Sequence, residues 1–370
     1  MKVLADSGIL AATDLFSQIG DITVMPGREI RRETLGDAEI LLVRSITAVD
    51  AALLDGSKVC MVGSATSGLD HIDTEYLQSA GIKLFHARGA NADAVVDYCL
   101  SAMSYAVMEK GLDIMQSCVG IIGGGAVGKK LQQRLHALGI SCLVNDPPLA
   151  AQSSQTNEYV SLEEALQCDV VSLHVPLTNA GDFPTRDLLS SNNLELLAEN
   201  CLLIHTCRGG VIDETALVRH LDTHKGVTSV VDVWANEPRV NPDLVNKVDI
   251  ATPHIAGYST NAKAMASFML FDQIMRELAD TPGAMGVDSD TSVALEVGDN
   301  PWAAPLVALP LMDLSARFKA QIAKESAPTA FDELRQSLVQ RVEFSQQAVR
   351  LSDNDTAKAH ILRALGFAVD

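Results

Sequence analysis

Three charged side chains stand directly after short apolar segments, and their types suit one kind of reaction. Arg208 follows "CLLIHTC", Glu237 follows "SVVDVWAN" and His254 follows "VDIATP". An arginine holds a carboxylate with two parallel hydrogen bonds, and a histidine takes or gives the proton of a hydroxyl group. A glutamate beside that histidine stabilises the imidazolium and fixes the orientation of the ring. With a nicotinamide nearby, these groups would carry out hydride transfer from a 2-hydroxy acid.

Each of the three residues also has a structural interpretation when it is considered alone. Glu237 could be a surface acid before a proline, and His254 could be an interior histidine with its hydrogen bonds satisfied. Arg208 could form an ion pair with Asp213. The occurrence of all three at strand ends, in a sheet that also carries a dinucleotide-binding loop, favours the chemical interpretation.

A glycine-rich loop provides a place for the nicotinamide cofactor. The apolar residues 119–122 are followed by "GGGAVG", so Gly123, Gly125 and Gly128 match G-x-G-x-x-G. Such glycines permit a tight turn, the approach of a pyrophosphate to the backbone, and the close packing of a helix whose N-terminus faces the anion. Asp146 ends the next apolar segment, where a carboxylate accepts hydrogen bonds from the ribose hydroxyls and repels a 2′-phosphate. The sequence therefore predicts NAD rather than NADP.

The elements that must position these groups alternate between strands and helices in two series. The strand candidates of the first series are "KVLAD", "DITVM", "EILLVRS", "KVCMVGS" and "GIKLFHA", and those of the second are "CVGIIGGG", "SCLVND", "CDVVSLHVP", "NCLLIHTCRGG", "VTSVVDVW" and "KVDIATPH". Continuous apolar runs are typical of strands that are buried on both faces of a parallel sheet. We expect an α/β protein with two doubly wound, Rossmann-like or flavodoxin-like, parallel-sheet domains and a small α+β C-terminal domain.

Composition narrows the function further. A chain of 370 residues suggests two or three domains, and a net charge of −19 argues against nucleic acid and anionic membranes as partners. The seven cysteines include no C-x-x-C motif, which indicates reduced thiols in a cytoplasmic protein. The N-terminus lacks the pattern of a signal peptide, and no apolar run approaches the length of a membrane span.

Two further features suggest chemistry less strongly. Cys207 lies beside a cation, as reactive thiolates do, but hydride transfer needs no covalent intermediate, so we expect its backbone to line the nicotinamide pocket. Only two pairs have residue types and spacing that suggest metal ligands, namely His71 with Asp73 and His220 with His224. The second pair has helical spacing but no third ligand that the sequence reveals, so no metal site is predicted.

The chain resembles the D-isomer-specific 2-hydroxyacid dehydrogenase family. The matching segments are "GIIGGGAVG", "HVPLT", "CRGGVIDETAL", "DVWANEP" and "PHIAG", in the order in which the family carries them. The resemblance implies that Arg208 binds the carboxylate and the 2-oxygen of the substrate. It also implies that Glu237 supports His254 and that His254 transfers the proton.

Other segments resemble the branch of that family that oxidises 4-phospho-D-erythronate with NAD in pyridoxal 5′-phosphate biosynthesis. They are "LLVRSITAVDAALL", "VGSATSGLDHID", "ANADAVVDY", "PHIAGYST" and the tail "FDELRQSLVQRVEFS". This branch implies a substrate domain made of residues 1–91 and 255–284, an NAD-binding domain at 92–254, and a C-terminal dimerisation domain at 285–370. The protein would then be a cytoplasmic homodimer.

The resemblance also implies binding residues. Cofactor contacts would fall on Gly123, Gly125, Ala126, Val127, Gly128, Asp146, His174, Thr206, Cys207, Asp232 and Gly257, and substrate contacts on Ser45, Thr66 and Tyr258. We add Arg44 as the first candidate for the substrate phosphate and Arg88 as the second, because both are cations adjacent to strand ends of the first domain. Arg44 could instead be a surface residue in an ion pair. Two alternatives stay open: a dehydrogenase for 3-phosphoglycerate, glycerate or another 2-hydroxy acid, and an NAD-sensing regulatory protein of the same fold.

Overall fold

The computed structural model describes residues 1–153, 158–279, 293–296, 298–324, 327–338, 340–351 and 355–369. Contacts between residues divide the chain into two compact units. Met1–Asn91 and Ser259–Ser289 form the first, and Ala92–Tyr258 and Asp290–Asp370 form the second. The contacts therefore group residues 255–258 and the C-terminal residues with residues 92–254. The predicted boundary between residues 284 and 285 lies outside the described residues.

The first unit is built on a sheet of five parallel strands in the order β2-β1-β3-β4-β5. These strands are β1 (Lys2–Asp6), β2 (Asp21–Met25), β3 (Ile40–Val43), β4 (Met61–Ser64) and β5 (Lys83–His86). The helices of this unit are α1 (Ala12–Phe16), α2 (Ala51–Leu54), α3 (Thr74–Ser79) and, from later in the chain, α10 (Thr260–Ala279). Strands β1, β3 and β4 are buried almost throughout, which explains their unbroken apolar sequences.

The second unit contains a six-stranded parallel sheet in the order β11-β10-β9-β8-β6-β7. Its strands are β6 (Cys118–Ile122), β7 (Ser141–Asn145), β8 (Val170–Leu173), β9 (Leu202–His205), β10 (Thr228–Val231) and β11 (Ile250–Ala251). Its helices are α4 (Ala92–Glu109), α5 (Ala126–Ala137), α6 (Pro147–Ala150), α7 (Leu162–Leu166), α8 (Glu214–Thr223) and α9 (Pro242–Lys247). Strand β7 lies on one side of β6, and β8 to β11 lie on the other side. Ligands bind at such a switch point, at the carboxyl ends of the strands.

The C-terminal residues add a three-stranded parallel sheet, β12-β13-β14, to the second unit. Its strands are β12 (Val293–Glu296), β13 (Gln347–Arg350) and β14 (Ala368–Val369), and the helices are α11 (Ala304–Ala308), α12 (Leu311–Ile322), α13 (Ala327–Ser337) and α14 (Thr356–Leu365). The two parallel-sheet domains and the smaller C-terminal sheet with its helices confirm the predicted fold class. Among the described residues, no helix is both long and apolar enough to cross a membrane.

One predicted element is shorter than expected. The sequence predicts a helix over residues 47–54, but α2 begins only at Ala51. The Asp50 side chain accepts a hydrogen bond from the Leu53 N–H and starts the helix there, and Val49 forms a β-bridge with Ile72 instead. A local cap and a tertiary pairing therefore override the helical pattern at its N-terminal end.

We predict that buried His205 makes the fold sensitive to acid. Burial lowers the pKa of His205 to about 3, whereas an unfolded histidine has a pKa near ~6.5. Below about pH 6.5 the unfolded chain binds a proton at this histidine and the folded chain does not. The free energy of unfolding therefore falls by ~1.4 kcal/mol for each pH unit. Urea unfolding between pH 7.5 and pH 5 measures this slope. His205→Asn will reduce it, exposed His136→Asn will not, and equal slopes in both variants would contradict the prediction.

Candidate active site

A carboxylate and an imidazole form a close pair at the carboxyl edge of the six-stranded sheet. His254 Nδ1 lies 2.7 Å from Glu237 Oε2, and the Trp234 N–H donates to Glu237 Oε1 at 2.9 Å. Burial opposes ionisation of Glu237, but the charge of His254 and these hydrogen bonds outweigh it, so the pKa of Glu237 is lowered. An ionised Glu237 accepts the Nδ1–H of a neutral His254, which leaves Nε2 as the nitrogen without a proton.

The loop that carries His254 is held by a buried aspartate. His254 has a φ of 55°, which is uncommon for a residue with a side chain, and its N–H donates to the Asp232 carbonyl oxygen at 2.7 Å. The Asp232 carboxylate accepts the N–H groups of Ile255 and Ala256, both at 2.8 Å, and the Thr252 hydroxyl at 2.5 Å. Burial raises the pKa of Asp232 above its usual range. Asp232 thus fixes the backbone on either side of the bend at His254.

Arg341 holds the same loop through its carbonyl groups. Its Nη1 donates to the carbonyl oxygens of Ile255 at 3.2 Å and Ala256 at 3.0 Å, and its Nη2 donates to that of Ala94 on α4 at 2.7 Å. The C-terminal residues of this unit therefore help to position the loop that carries His254. This contact could not be predicted from the sequence, because Arg341 is 87 positions from His254 in the chain and no motif links them.

Arg208 lies just beyond the end of β9, where the sequence pattern places it. Its Nη1 donates to the Cys207 carbonyl oxygen at 2.8 Å, and the side chain is half-buried. Asp213, the alternative partner, caps α8 by accepting the N–H groups of Thr215 and Ala216. Burial raises the pKa of Cys207 to about 11, so this thiol is protonated at neutral pH and lacks the reactivity of a thiolate.

His205 is a further titratable residue at this sheet edge that was not predicted from the sequence. It is the last residue of β9, it is buried, and its Nδ1 lies 3.6 Å from the Cys207 sulfur. Burial lowers its pKa, and the charges of Glu237 and His254 also act on it. His205 is therefore neutral at neutral pH. Its position at a strand end could have been a signal, but an apolar run surrounds it.

The glycine loop has the form of a pyrophosphate cradle. Gly123 has a φ of 102°, and a Cβ there would lie 2.7 Å from the His174 carbonyl oxygen. Gly125 precedes α5 without a side-chain cap, and a Cβ on it would enter open space with no protein atom within 4 Å. The first turn of α5 includes Ala126 and Val127, and its backbone N–H groups follow directly after this open space at Gly125. The residues present fit a dinucleotide phosphate group.

The other predicted cofactor residues surround the same edge. Asp146 follows β7, and its carboxylate accepts the N–H groups of Gly124 at 2.8 Å and Leu149 at 3.0 Å, so it also ties the glycine loop to the next strand. His174 follows β8, and burial lowers its pKa to about 3. The remaining residues come after the next strands along the sheet: Thr206 and Cys207 after β9, Asp232 after β10 and Gly257 after β11. These cofactor roles stay predictions.

Three of the predicted substrate residues lie in the first unit and one lies in the second. Arg44 forms an ion pair with the buried Asp6, with its Nε 2.9 Å from Oδ2 and its Nη2 3.2 Å from Oδ1. Ser45 is exposed after β3, and Thr66 lies after β4 with its hydroxyl 2.7 Å from that of Ser64. Tyr258 belongs to the second unit. The structure therefore gives Arg44 a carboxylate partner that the sequence did not reveal.

The candidate metal pairs have different surroundings. The Asp73 side chain caps α3, and His71 Nε2 lies 3.1 Å from the Ser64 hydroxyl. For the second pair, the structure adds a third residue that the sequence did not suggest. Glu195 lies 3.3 Å from His220 Nδ1 and 3.2 Å from His224 Nε2. The two imidazole rings stack at 4.0 Å, and each faces one oxygen of the carboxylate.

Comparison with known proteins identifies the family. A sequence model described as "D-isomer specific 2-hydroxyacid dehydrogenase, NAD binding domain" matches residues 100–256. An erythronate-4-phosphate dehydrogenase of Chromohalobacter salexigens is 38% identical over 100% of this chain and 99% of its own. Another, of a Marinomonas species, is 38% identical over 100% of both chains.

The chain belongs to the erythronate-4-phosphate dehydrogenase family. It is an NAD-dependent oxidoreductase of the D-isomer-specific 2-hydroxyacid dehydrogenases, as the sequence motifs predicted. Among solved structures, the 3-phosphoglycerate dehydrogenase of Entamoeba histolytica with bound NAD⁺ has a TM-score of 0.64 at 22% identity. It covers 76% of this chain and 96% of its own. At this identity the likeness confirms the fold, and the prediction of NAD as cofactor is confirmed by the family.

We predict that a side chain at Gly125 blocks the cofactor. In Gly125→Val, the added methyl groups would occupy the open space beside the N-terminus of α5. The loss of one charge-assisted hydrogen bond would weaken NADH binding roughly tenfold or more. Fluorescence titration with NADH measures the affinity. Gly298→Val, a substitution that also meets open space, is the control. Unchanged NADH affinity in Gly125→Val would refute the location of the cradle.

We predict that Arg341 stabilises the loop that carries His254. Arg341→Lys keeps a positive charge but cannot reach three carbonyl oxygens at once, so the free energy of unfolding will fall by ~1–3 kcal/mol. Arg350→Lys, at an exposed arginine of β13, will change it by less than ~0.5 kcal/mol. Urea unfolding measures both. Equal stability of the two variants would show that the Arg341 contacts contribute little.

Proposed function

We propose that the protein oxidises 4-phospho-D-erythronate to 2-oxo-3-hydroxy-4-phosphobutanoate with NAD. The observation that carries this proposal is the 2.7 Å contact between Glu237 and His254, at the sheet edge that also carries the glycine loop. Full-length relatives that bear the name of this activity support the choice of substrate. The pathway would be pyridoxal 5′-phosphate biosynthesis, in the cytoplasm, and the protein would act as a homodimer through residues 285–370.

The chemistry assigned to the chain's own residues is proton transfer and orientation. Arg208 holds the substrate carboxylate and the 2-oxygen, which fixes the position of C2. His254 removes the proton of the 2-hydroxyl group through Nε2, and Glu237 stabilises the imidazolium that results. Bound NAD supplies the acceptor of the hydride that leaves C2. The loop contacts of Asp232 keep His254 in place while the proton moves.

Specific recognition of the substrate involves further residues. We propose Ser45, Thr66 and Tyr258 as substrate contacts, with Arg44 as a candidate for the phosphate. The ion pair with Asp6 holds the Arg44 guanidinium at two of its nitrogens. We also propose the substrate-domain role for residues 1–91 and 255–284, with NAD binding by residues 92–254. Support for these roles comes from the segments shared with the family.

Substrate choice and the role of His254 are tested together by the absorbance of NADH. We expect a higher kcat/KM with 4-phospho-D-erythronate than with 3-phosphoglycerate or glycerate. His254→Ala will lower kcat by roughly 10²- to 10⁴-fold with little change in NADH affinity, because it removes the general base. His136→Ala, at an exposed histidine of α5, is the matched control and will retain activity.

Two outcomes would contradict the proposed function. Equal kcat/KM values for 4-phospho-D-erythronate and 3-phosphoglycerate would refute the substrate assignment. Stoichiometric NADH binding without turnover of any 2-hydroxy acid would instead favour the NAD-sensing alternative. Full activity of His254→Ala would remove His254 from the mechanism while leaving the substrate question to the first comparison.

A further inference from the structure

Helix α13 brings an arginine to the residue that is proposed to contact substrate. Arg335 Nη2 donates to the Tyr258 hydroxyl oxygen at 2.5 Å. Its guanidinium carbon lies 4.8 Å from the centre of the Tyr258 ring and 5.5 Å from that of the buried Phe331. Two aromatic rings and one hydrogen bond therefore fix the position of the guanidinium, which is a preorganised arrangement.

The positive charge of Arg335 reaches the catalytic pair. Besides His254, this charge contributes to lowering the pKa of Glu237, which places the guanidinium in the same electrostatic environment. All these residues belong to the second unit. Arg335 thus contacts Tyr258, which follows His254 by four positions in the chain, and its charge acts on Glu237.

The charge of Arg335 has no matching carboxylate among the side chains that the structure describes. No ion pair within 4.0 Å is found for it there, and its buried Nε has no hydrogen-bond partner. A partly buried guanidinium without a carboxylate is costly unless an anion joins it. Arg44 differs in this respect, because Asp6 already balances its charge.

We propose that Arg335 binds the phosphate group at the distal end of the substrate. This inference rests on the proposed function and deepens it, because it names a specificity residue for a phosphorylated 2-hydroxy acid. A guanidinium group carries N–H donors that match the oxygens of a phosphate monoester. In a chain with a net charge of −19, such local cations must attract the anion.

This chain is longer than the solved 3-phosphoglycerate dehydrogenase, which leaves room for a segment that recognises the substrate. About three quarters of this chain, 76%, matches 96% of the solved 3-phosphoglycerate dehydrogenase, so this chain has a substantial additional part. Arg335 lies near the C-terminus, in a segment whose helix packs Phe331 and Leu334 into the apolar core of the second unit. The C-terminal residues would then contribute to substrate choice as well as to the assembly proposed above.

The test compares two substrates that differ only in the phosphate, 4-phospho-D-erythronate and D-erythronate. In Arg335→Gln, we expect kcat/KM for the phosphorylated substrate to fall about 10- to 100-fold, since charged hydrogen bonds are lost. The value for D-erythronate should change by less than about threefold. Arg335→Lys keeps the charge and should show a smaller loss. Arg317→Gln, at an exposed arginine of α12, is the matched control and should leave both values unchanged.

The ratio of the two kcat/KM values separates phosphate binding from a structural role. An equal fall for both substrates in Arg335→Gln would mean that Arg335 only positions Tyr258 or Glu237, and no fall would mean that it is not needed. Either result overturns the inference. If Arg335→Gln does not fold by circular dichroism, the ratio in Arg335→Lys decides. Wild-type protein that fails to oxidise 4-phospho-D-erythronate would refute the proposed function itself, independently of the variants.

Discussion

The bend at His254 is the constraint on which the candidate site depends. A residue with a side chain adopts a φ of 55° here, and it does so between two sets of hydrogen bonds. Asp232 accepts the N–H groups that follow the bend, and Arg341 donates to the carbonyl groups of the same residues. Donors and acceptors are thus both satisfied in a buried loop, as they must be where water is excluded. The imidazole consequently meets Glu237 at 2.7 Å.

The site also shows how an acidic protein handles an anionic substrate. Its overall charge of −19 repels anions, whereas Arg208 adds a positive charge just beyond the end of β9 and the charge of Arg335 acts on Glu237. Buried neutral groups complete the arrangement, because His205 and the Cys207 thiol stay uncharged at neutral pH. Charge is therefore concentrated on the groups to which we assign substrate binding and proton transfer.

The sequence predicted the parts of this architecture that local patterns encode. Buried parallel strands appear as unbroken apolar runs, and the glycine spacing at Gly123 reports a turn and a helix start within one short segment. Other contacts join segments that are far apart in the chain, namely those between Arg44 and Asp6, Arg335 and Tyr258, Arg341 and Ile255, and Glu195 and His224. Neither periodicity nor spacing reports such contacts, because they form only when the sheets and the C-terminal helices pack.

Transfer of an isotopic label tests the central claim most directly, namely that this site moves a hydride from C2 of 4-phospho-D-erythronate to NAD. The substrate would carry deuterium at C2, and the reduced cofactor would be analysed by mass spectrometry. Our account predicts one deuterium in each NADH that forms, together with slower turnover of the labelled substrate if hydride transfer limits the rate. NADH that forms without deuterium, or no NADH at all from this substrate, would contradict it.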